Sequence, residues 1–203
     1  MPPAAPLVLA SASPRRAELM RQAGYVFTVA HADLDETPLA GEAPAAYVRR
    51  LAEAKAAAVA ADRPDAVVLG ADTTVVVDGA ILGKPADAAE ATAMLEQLQG
   101  RAHDVLTGVA VIGPAGRDSA VAVTRVWFAP MSAAEIAAYV DSREPMDKAG
   151  AYAIQGLASR YVTRIDGSHP NVVGLPVAVV HDLLRKQRRD GPEDPPVSAP
   201  AIG

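Results

Sequence analysis

Leu7-Val8-Leu9-Ala10-Ser11-Ala12-Ser13-Pro14-Arg15-Arg16 is the stretch on which the reading of this chain turns. Its first four residues form an apolar run of the kind a short buried strand uses, and two small hydroxyl residues then break it. Pro14 suits the first position of a helix, where no backbone donor is needed, and Ser13 suits the N-cap before it. The predicted helix continues from Arg15 to Ala23 before Gly24, with Leu19, Met20 and Ala23 on one face. A strand-to-helix turn aims free N–H groups and the positive end of a helix dipole into the crevice that it borders. Two adjacent guanidiniums reinforce it, so the expected ligand is a phosphate chain.

At 203 residues, half of them apolar, the chain can bury a full core. The simplest arrangement is one α/β domain over residues 1–189, with room for two lobes around a cleft. A formal charge of -5 argues against a nucleic-acid polymer as partner, because polyanion binding needs a broad basic surface. Any anion site must be local. With no cysteine, disulfides, thiol catalysis and cysteine–metal sites are excluded together. No apolar stretch reaches the ~18 residues of a membrane span, and MPPAAPLVLASAS has neither a basic leader nor enough apolar length for export. The chain is read as cytoplasmic, with no membrane partner.

Beyond the first turn, strands and helices alternate. A strand is predicted over Tyr25 to Ala30, followed by the acidic loop 31–38. A helix opened by Pro44 spans 44–61, with Val48, Leu51, Ala52, Val59 and also Lys55 on its apolar stripe. Val67 to Gly70 reads as a buried strand running into the turn Ala71-Asp72-Thr73. Val75 to Val77, Asp78-Gly79 and Ala80 to Leu82 spell a hairpin with a type I′ turn. Asp87 with Glu90, and Ser132 with Glu135, have capping-box spacing for helices ending near Gly100 and Ser142. Strands are predicted over His103 to Ile112, Ala120 to Phe128 and Tyr161 to Ile165, the last followed by an Asp166-Gly167 turn. A final helix runs from Pro176 to about Arg188. The tail from Asp190 is proline-rich with little to bury, and is expected to be disordered.

Four further positions carry chemistry. Lys55 lies on the inward stripe of its helix, where an ammonium is costly unless an anion meets it or it reaches the rim. Asp72 follows a buried strand directly, at the edge where open α/β sheets place ligands, though aspartate also serves ordinary turns. Gly83-Lys84-Pro85 closes the hairpin and returns Lys84 to the same mouth. Glu36 is an acid in the loop before the long helix. Cations converging from separate elements fit a multiply charged anion, which Glu36 and Asp72 would repel unless a divalent ion mediated. Carboxylates without histidine or thiolate suit Mg²⁺ or Mn²⁺ better than Zn²⁺, and the four histidines show no ligand spacing.

The ordered series SASPRR (11–16), DETP around Glu36, LAEAKA around Lys55, GADT around Asp72, GKP around Lys84, AGAYAIQG around Gln155 and NVVGLP (171–176) resembles the Maf family of nucleoside triphosphate pyrophosphatases. The match runs over roughly residues 7–185. The resemblance implies a mixed α/β fold, similar to that of ITPases, with an elongated central sheet flanked by helices and a deep active-site cleft. It also implies a divalent metal and cleavage of a nucleoside triphosphate between its α and β phosphates. On the matching positions, Asp72, Glu36, Lys55 and Lys84 are the candidate catalytic residues, with Asp72 as proton acceptor. Asp72 and Glu36 are the candidate metal ligands. Ser11, Ser13, Arg15, Arg16, Thr73 and Gln155 are the candidate substrate-binding residues.

Arg15, Thr73 and Gln155 match the selectivity positions of the branch that prefers dTTP and UTP. The SPWRR and GSDQ forms of the branch preferring 7-methyl-GTP are absent. Two departures from the family pattern, GSHPNVVG after Asp166 and the proline-rich tail, do not touch the charged set. A nucleotide-binding regulator without turnover, in cell division or septum formation, and a phosphatase releasing orthophosphate remain the alternatives. A homodimer is left open.

Overall fold

The computed structural model describes residues 5–187, so the tail from Asp190 lies outside the described residues. The fold is mixed α/β, built on a seven-stranded sheet of order β2-β1-β3-β5-β6-β7 with β4 paired to β3. The strands are β1 (Leu7–Ala10), β2 (Thr28–Ala30), β3 (Val67–Val77), β4 (Ala80–Leu82), β5 (Ala102–Gly113), β6 (Gly116–Phe128) and β7 (Val162–Asp166). β1 runs parallel to both β2 and β3, and the remaining pairings are antiparallel. The helices are α1 (Pro14–Gln22), α2 (Pro44–Ala60), α3 (Ala88–Leu98), α4 (Ala133–Asp141), α5 (His169–Val173) and α6 (Val177–Lys186). Among the described residues no helix is long and apolar enough to cross a membrane.

Alternation along the strands sorts two apolar layers onto the two faces. Val8, Val68 and Ala110 face Ala52, Ala56 and Val59 of α2. Leu9, Leu69, Val109 and Val111 face the larger layer, which includes Met20, Leu95, Leu98, Ile136 and Leu183. α2 lies unusually close to the sheet because two strand residues are glycines. A Cβ on Gly70 would stand 2.2 Å from the Ala52 carbonyl oxygen, and one on Gly108 2.2 Å from that of Val48. Any side chain there would lift the helix.

The hairpin turn is as expected, with φ of 50° at Asp78 and 79° at Gly79, the left-handed pair that a type I′ turn requires. Ser132 and Glu135 form the complete capping box. Elsewhere the structure corrects the sequence reading. The strand predicted from Tyr25 is only Thr28–Ala30, since Tyr25 and Phe27 pack against the core outside the ladder. Ala23 is exposed at the end of α1 and does not join the apolar face. Asp87 caps α3, but the Glu90 carboxylate accepts from Ala86 N–H, so that box is half formed. Ser13 occupies the N-cap of α1 without a side-chain bond to the helix. Residues 144–160, given no element from sequence, fold with Tyr161 into three 3₁₀ turns, Glu144–Asp147, Ala149–Ala151 and Leu157–Tyr161, so the strand predicted from Tyr161 begins at Val162.

Candidate active site

The cleft opens where β3 changes partners along one edge. There β3 pairs with β1 as far as Gly70 and with β4 from Val75, while β5 lines its other edge throughout. The gap between those registers holds Asp72. The sequence reading ended a strand before this residue, but Asp72 lies mid-strand in β3, and what ends beside it is β1. The result is still a crevice outside the carboxyl end of a parallel strand. Its volume is about 880 Å³, and its walls are the β1–α1 turn, the acidic loop, β3, the Gly83-Lys84 turn, the 147–155 segment and the end of α5.

Successive side chains of β3 point to opposite faces, which gives Asp72 and Thr73 different neighbours. Asp72 points toward α2, and Lys55 Nζ lies 2.6 Å from Asp72 Oδ1 and 2.6 Å from Glu36 Oε1. The lysine that the sequence placed on an apolar stripe is met by these two carboxylates. Asp72 and Lys55 keep only 9% and 14% of their side-chain surface exposed, against 45% for Glu36. Burial pushes the Asp72 carboxyl up, although Lys55 and Arg16 pull the other way. For Glu36, burial also opposes ionisation, but the hydrogen bond and charge of Lys55, with Lys84 and Arg16, hold its carboxyl below the usual range.

The acidic loop is held in place from α2. Tyr47 donates its phenol proton to the Glu36 carbonyl at 3.0 Å, and Arg50 Nη2 donates to the Thr37 carbonyl at 3.2 Å. Arg50 also grips Glu42 in a two-pronged pair at 2.7 Å per arm. Burial, with the charges of Asp72 and Glu36, pushes the Tyr47 phenol up to about 12. Sequence reading missed Tyr47, yet Tyr47, Leu51 and Lys55 recur every four residues and so share one helix face.

Thr73 points to the other face and meets the first-turn arginine. Arg16 is buried. Its Nε donates to the Gly174 carbonyl at 2.8 Å, Nη1 to Ser11 Oγ at 3.1 Å and Nη2 to Thr73 Oγ1 at 3.0 Å. Burial lowers its pKa, against the pull of Asp72. Thr73 Oγ1 is further bonded to Thr107 Oγ1 at 3.0 Å and to the Gly174 carbonyl at 3.3 Å. Thr107, opposite Thr73 in the β3–β5 register, had no sequence signal of its own. Ser11 Oγ accepts from Ser13 N–H at 3.2 Å, which shapes the turn.

The remaining expected residues stand around the mouth. Arg15 lines the cleft and pairs with Asp147 at 2.9 Å. Lys84 and Gln155 line it as well, and among the described residues neither side chain has a hydrogen-bond or ion-pair partner. All ten candidate residues therefore border one cavity. Asp147 and Lys148, which also line it, were not foreseen.

Fold and site define the class first. The chain resembles the Ham1 proteins of Staphylococcus aureus (TM-score 0.52, 14% identity, covering 89% of this chain and 98% of that one) and Coxiella burnetii (TM-score 0.52, 17% identity, 90% and 99%). At such identities the likeness is one of fold. Within that fold the chain belongs to the Maf family: the model of the Maf-like protein family matches residues 6–187. Proteins named dTTP/UTP pyrophosphatase are similar to it along most of their length. Those of Myxococcus xanthus and Koribacter versatilis are 55% and 52% identical over 180 residues, covering 89% of this chain and 91% and 93% of theirs.

Proposed function

We propose that this protein is a nucleoside triphosphate pyrophosphatase that hydrolyses dTTP and UTP to the monophosphate and pyrophosphate. The observation that carries the reading is the Asp72–Lys55–Glu36 cluster, with Asp72 and Lys55 largely buried and Glu36 half-exposed, in a cleft that Lys84 and Arg15 also line. The names of the relatives, at 51% to 55% identity, support the same substrates. A regulator that only bound nucleotide would need the cations but not a desolvated carboxylate.

In this reading Asp72 accepts the proton of a water whose oxygen bonds to the α-phosphorus, and the bond from that phosphorus to the bridging oxygen breaks toward pyrophosphate. Burial raises the affinity of Asp72 for a proton, as a general base requires. Lys55, Lys84 and Arg15 balance the charge that gathers on the departing pyrophosphate. Arg16 adds positive potential from below while fixing the Ser11 turn. Asp72 and Glu36 both reach Lys55 Nζ, and theirs are the carboxylates that would hold a hard cation. Among the described residues no group of three or more histidines, aspartates and glutamates forms a cage, so phosphate oxygens and water would complete the shell. Mg²⁺ or Mn²⁺ held there would neutralise phosphate charge and stabilise the leaving group. Arg15 and Gln155 read the pyrimidine, with Thr73 acting indirectly through its hydrogen bond to Arg16. A cytoplasmic location accords with such a substrate.

Incubation with a panel of triphosphates and Mg²⁺, followed by ³¹P NMR, tests the reading. Pyrophosphate and monophosphate are expected, fastest from UTP and dTTP. Orthophosphate, or binding without product, would overturn it.

A further inference from the structure

Gln155 sits on an irregular segment, yet the backbone on either side of it is held by groups that do not border the cleft. Tyr139, buried near the end of α4, donates its hydroxyl proton to Glu144 Oε1 at 2.8 Å. The Tyr139 hydroxyl oxygen in turn accepts the Ala153 N–H at 3.1 Å. Glu144 Oε2 accepts the Leu157 N–H at 3.0 Å. The Tyr139–Glu144 pair thus grips the chain two residues before Gln155 and two residues after it. Gly156 closes the contact, since a Cβ there would lie 2.3 Å from Glu144 Oε2. On the N-terminal side, Tyr152 Oη and buried His103 Nε2 are 2.8 Å apart, and both rings meet Phe128 edge-on. The Gln155 side chain itself is exposed and has no hydrogen-bond partner among the described residues.

We propose that Tyr139 and Glu144 are positioning residues that hold Gln155 in register with the bound base, and so set which base the cleft accepts. The inference rests on the base-reading role given to Gln155 above. An amide discriminates between bases only if its donor and acceptor are fixed to within ~0.5 Å, and a loop needs an external brace to achieve that. The brace is a phenol–carboxylate pair that caps two backbone N–H groups of the loop. The cations that handle the phosphates come from α1, α2 and the Gly83-Lys84 turn, so the brace bears on the base and not on the phosphates.

The test compares Tyr139→Phe and Glu144→Gln with Gln155→Ala and wild type. It reads the kcat/KM ratio of UTP to GTP in competition, and the inhibition constant of inorganic triphosphate, which has no base. Tyr139→Phe is expected to lower the ratio roughly tenfold, approaching Gln155→Ala, with inorganic triphosphate inhibiting as in wild type. Glu144→Gln keeps one acceptor and should fall between. A ratio that Gln155→Ala lowers and Tyr139→Phe leaves alone overturns the brace while the base reading stands. A ratio unmoved by Gln155→Ala overturns both. Equal losses for UTP, GTP and inorganic triphosphate would make the pair a general fold support and also overturn the proposal. Should Tyr139→Phe fail to fold, by near-ultraviolet circular dichroism, the ratio in Glu144→Gln decides by the same criteria.

Discussion

Replacing Lys55 with methionine keeps the stem of the side chain and removes the charge that two carboxylates share. A hydrogen bond between charged partners contributes about 1.5–3 kcal/mol, which applies to the buried Asp72 arm. The Glu36 arm is 45% exposed and solvent-screened, so it adds ~0–1 kcal/mol. Lys55→Met should therefore cost about 2–4 kcal/mol at pH 8, a fall in melting temperature of roughly 5–15 °C for a chain of this size. The cost should also depend on pH. Because burial has raised the Asp72 pKa, the folded chain holds that proton more tightly than the unfolded chain. Its ionised form therefore detracts from stability above the unfolded value, and the loss is relieved as pH falls through the folded value. Without Lys55 the carboxyl rises further, so the deficit of the variant should be largest at pH 8 and shrink toward pH 5. Paired melts across that range, with pyrophosphate release measured well below melting, provide the assay. Turnover should drop at least ~10²-fold. A deficit that stays constant from pH 8 to 5, or wild-type turnover, would refute the ion-pair reasoning.

Asp72→Asn preserves shape and removes the proton acceptor; turnover should fall ~10²–10⁴-fold at saturating metal and substrate with the near-ultraviolet spectrum unchanged. Burial lowers the His103 pKa to about 4, so the unfolded chain binds its proton first as pH drops from 6.5. That linkage destabilises wild type by about 3 kcal/mol toward pH 4, and His103→Phe should lose this part of the acid sensitivity in a melting series from pH 7 to 4.5. Gly108→Ala must displace Val48 and with it α2, at about 3 kcal/mol, and should depress activity even far below its melting temperature by separating Lys55 from Asp72.

The regular elements were legible because hydrophobic period and turn chemistry agree over them. The long helix with Val48, Leu51 and Val59 inward, the Asp78-Gly79 hairpin and the Ser132 cap all follow from local rules. The candidate cluster was legible from ordered motifs, which place residues in one cleft without saying what each touches. Three things were hidden. That β3 runs through Asp72 depends on its pairing with Gly108 of β5, 36 residues away in sequence, which no local pattern encodes. That Arg16 turns inward depends on the Gly174 carbonyl and Thr73, both distant in the chain. The 3₁₀ turns of 144–161 have no period long enough to announce themselves, and their fastening through Tyr139, Glu144 and His103 is tertiary.

The two glycines beneath α2 give the cluster a mechanical datum. Helix backbone rests on strand backbone at Gly70 and Gly108, two positions that flank Asp72 along β3 and across to β5. The reach from Lys55 to Asp72 is then set by hard-sphere contact between main chains, which neither swells nor shrinks when apolar side chains elsewhere are exchanged. Repacking of the layer around Val59 or Leu51 should leave the spacing alone, so the surrounding core is free to drift in sequence. The same rigidity means that the spacing admits no fine adjustment: each glycine is either kept or the helix is dislodged by a full methyl group. Recombination of this scaffold with foreign loops should therefore carry α2, β3 and β5 together as one indivisible block.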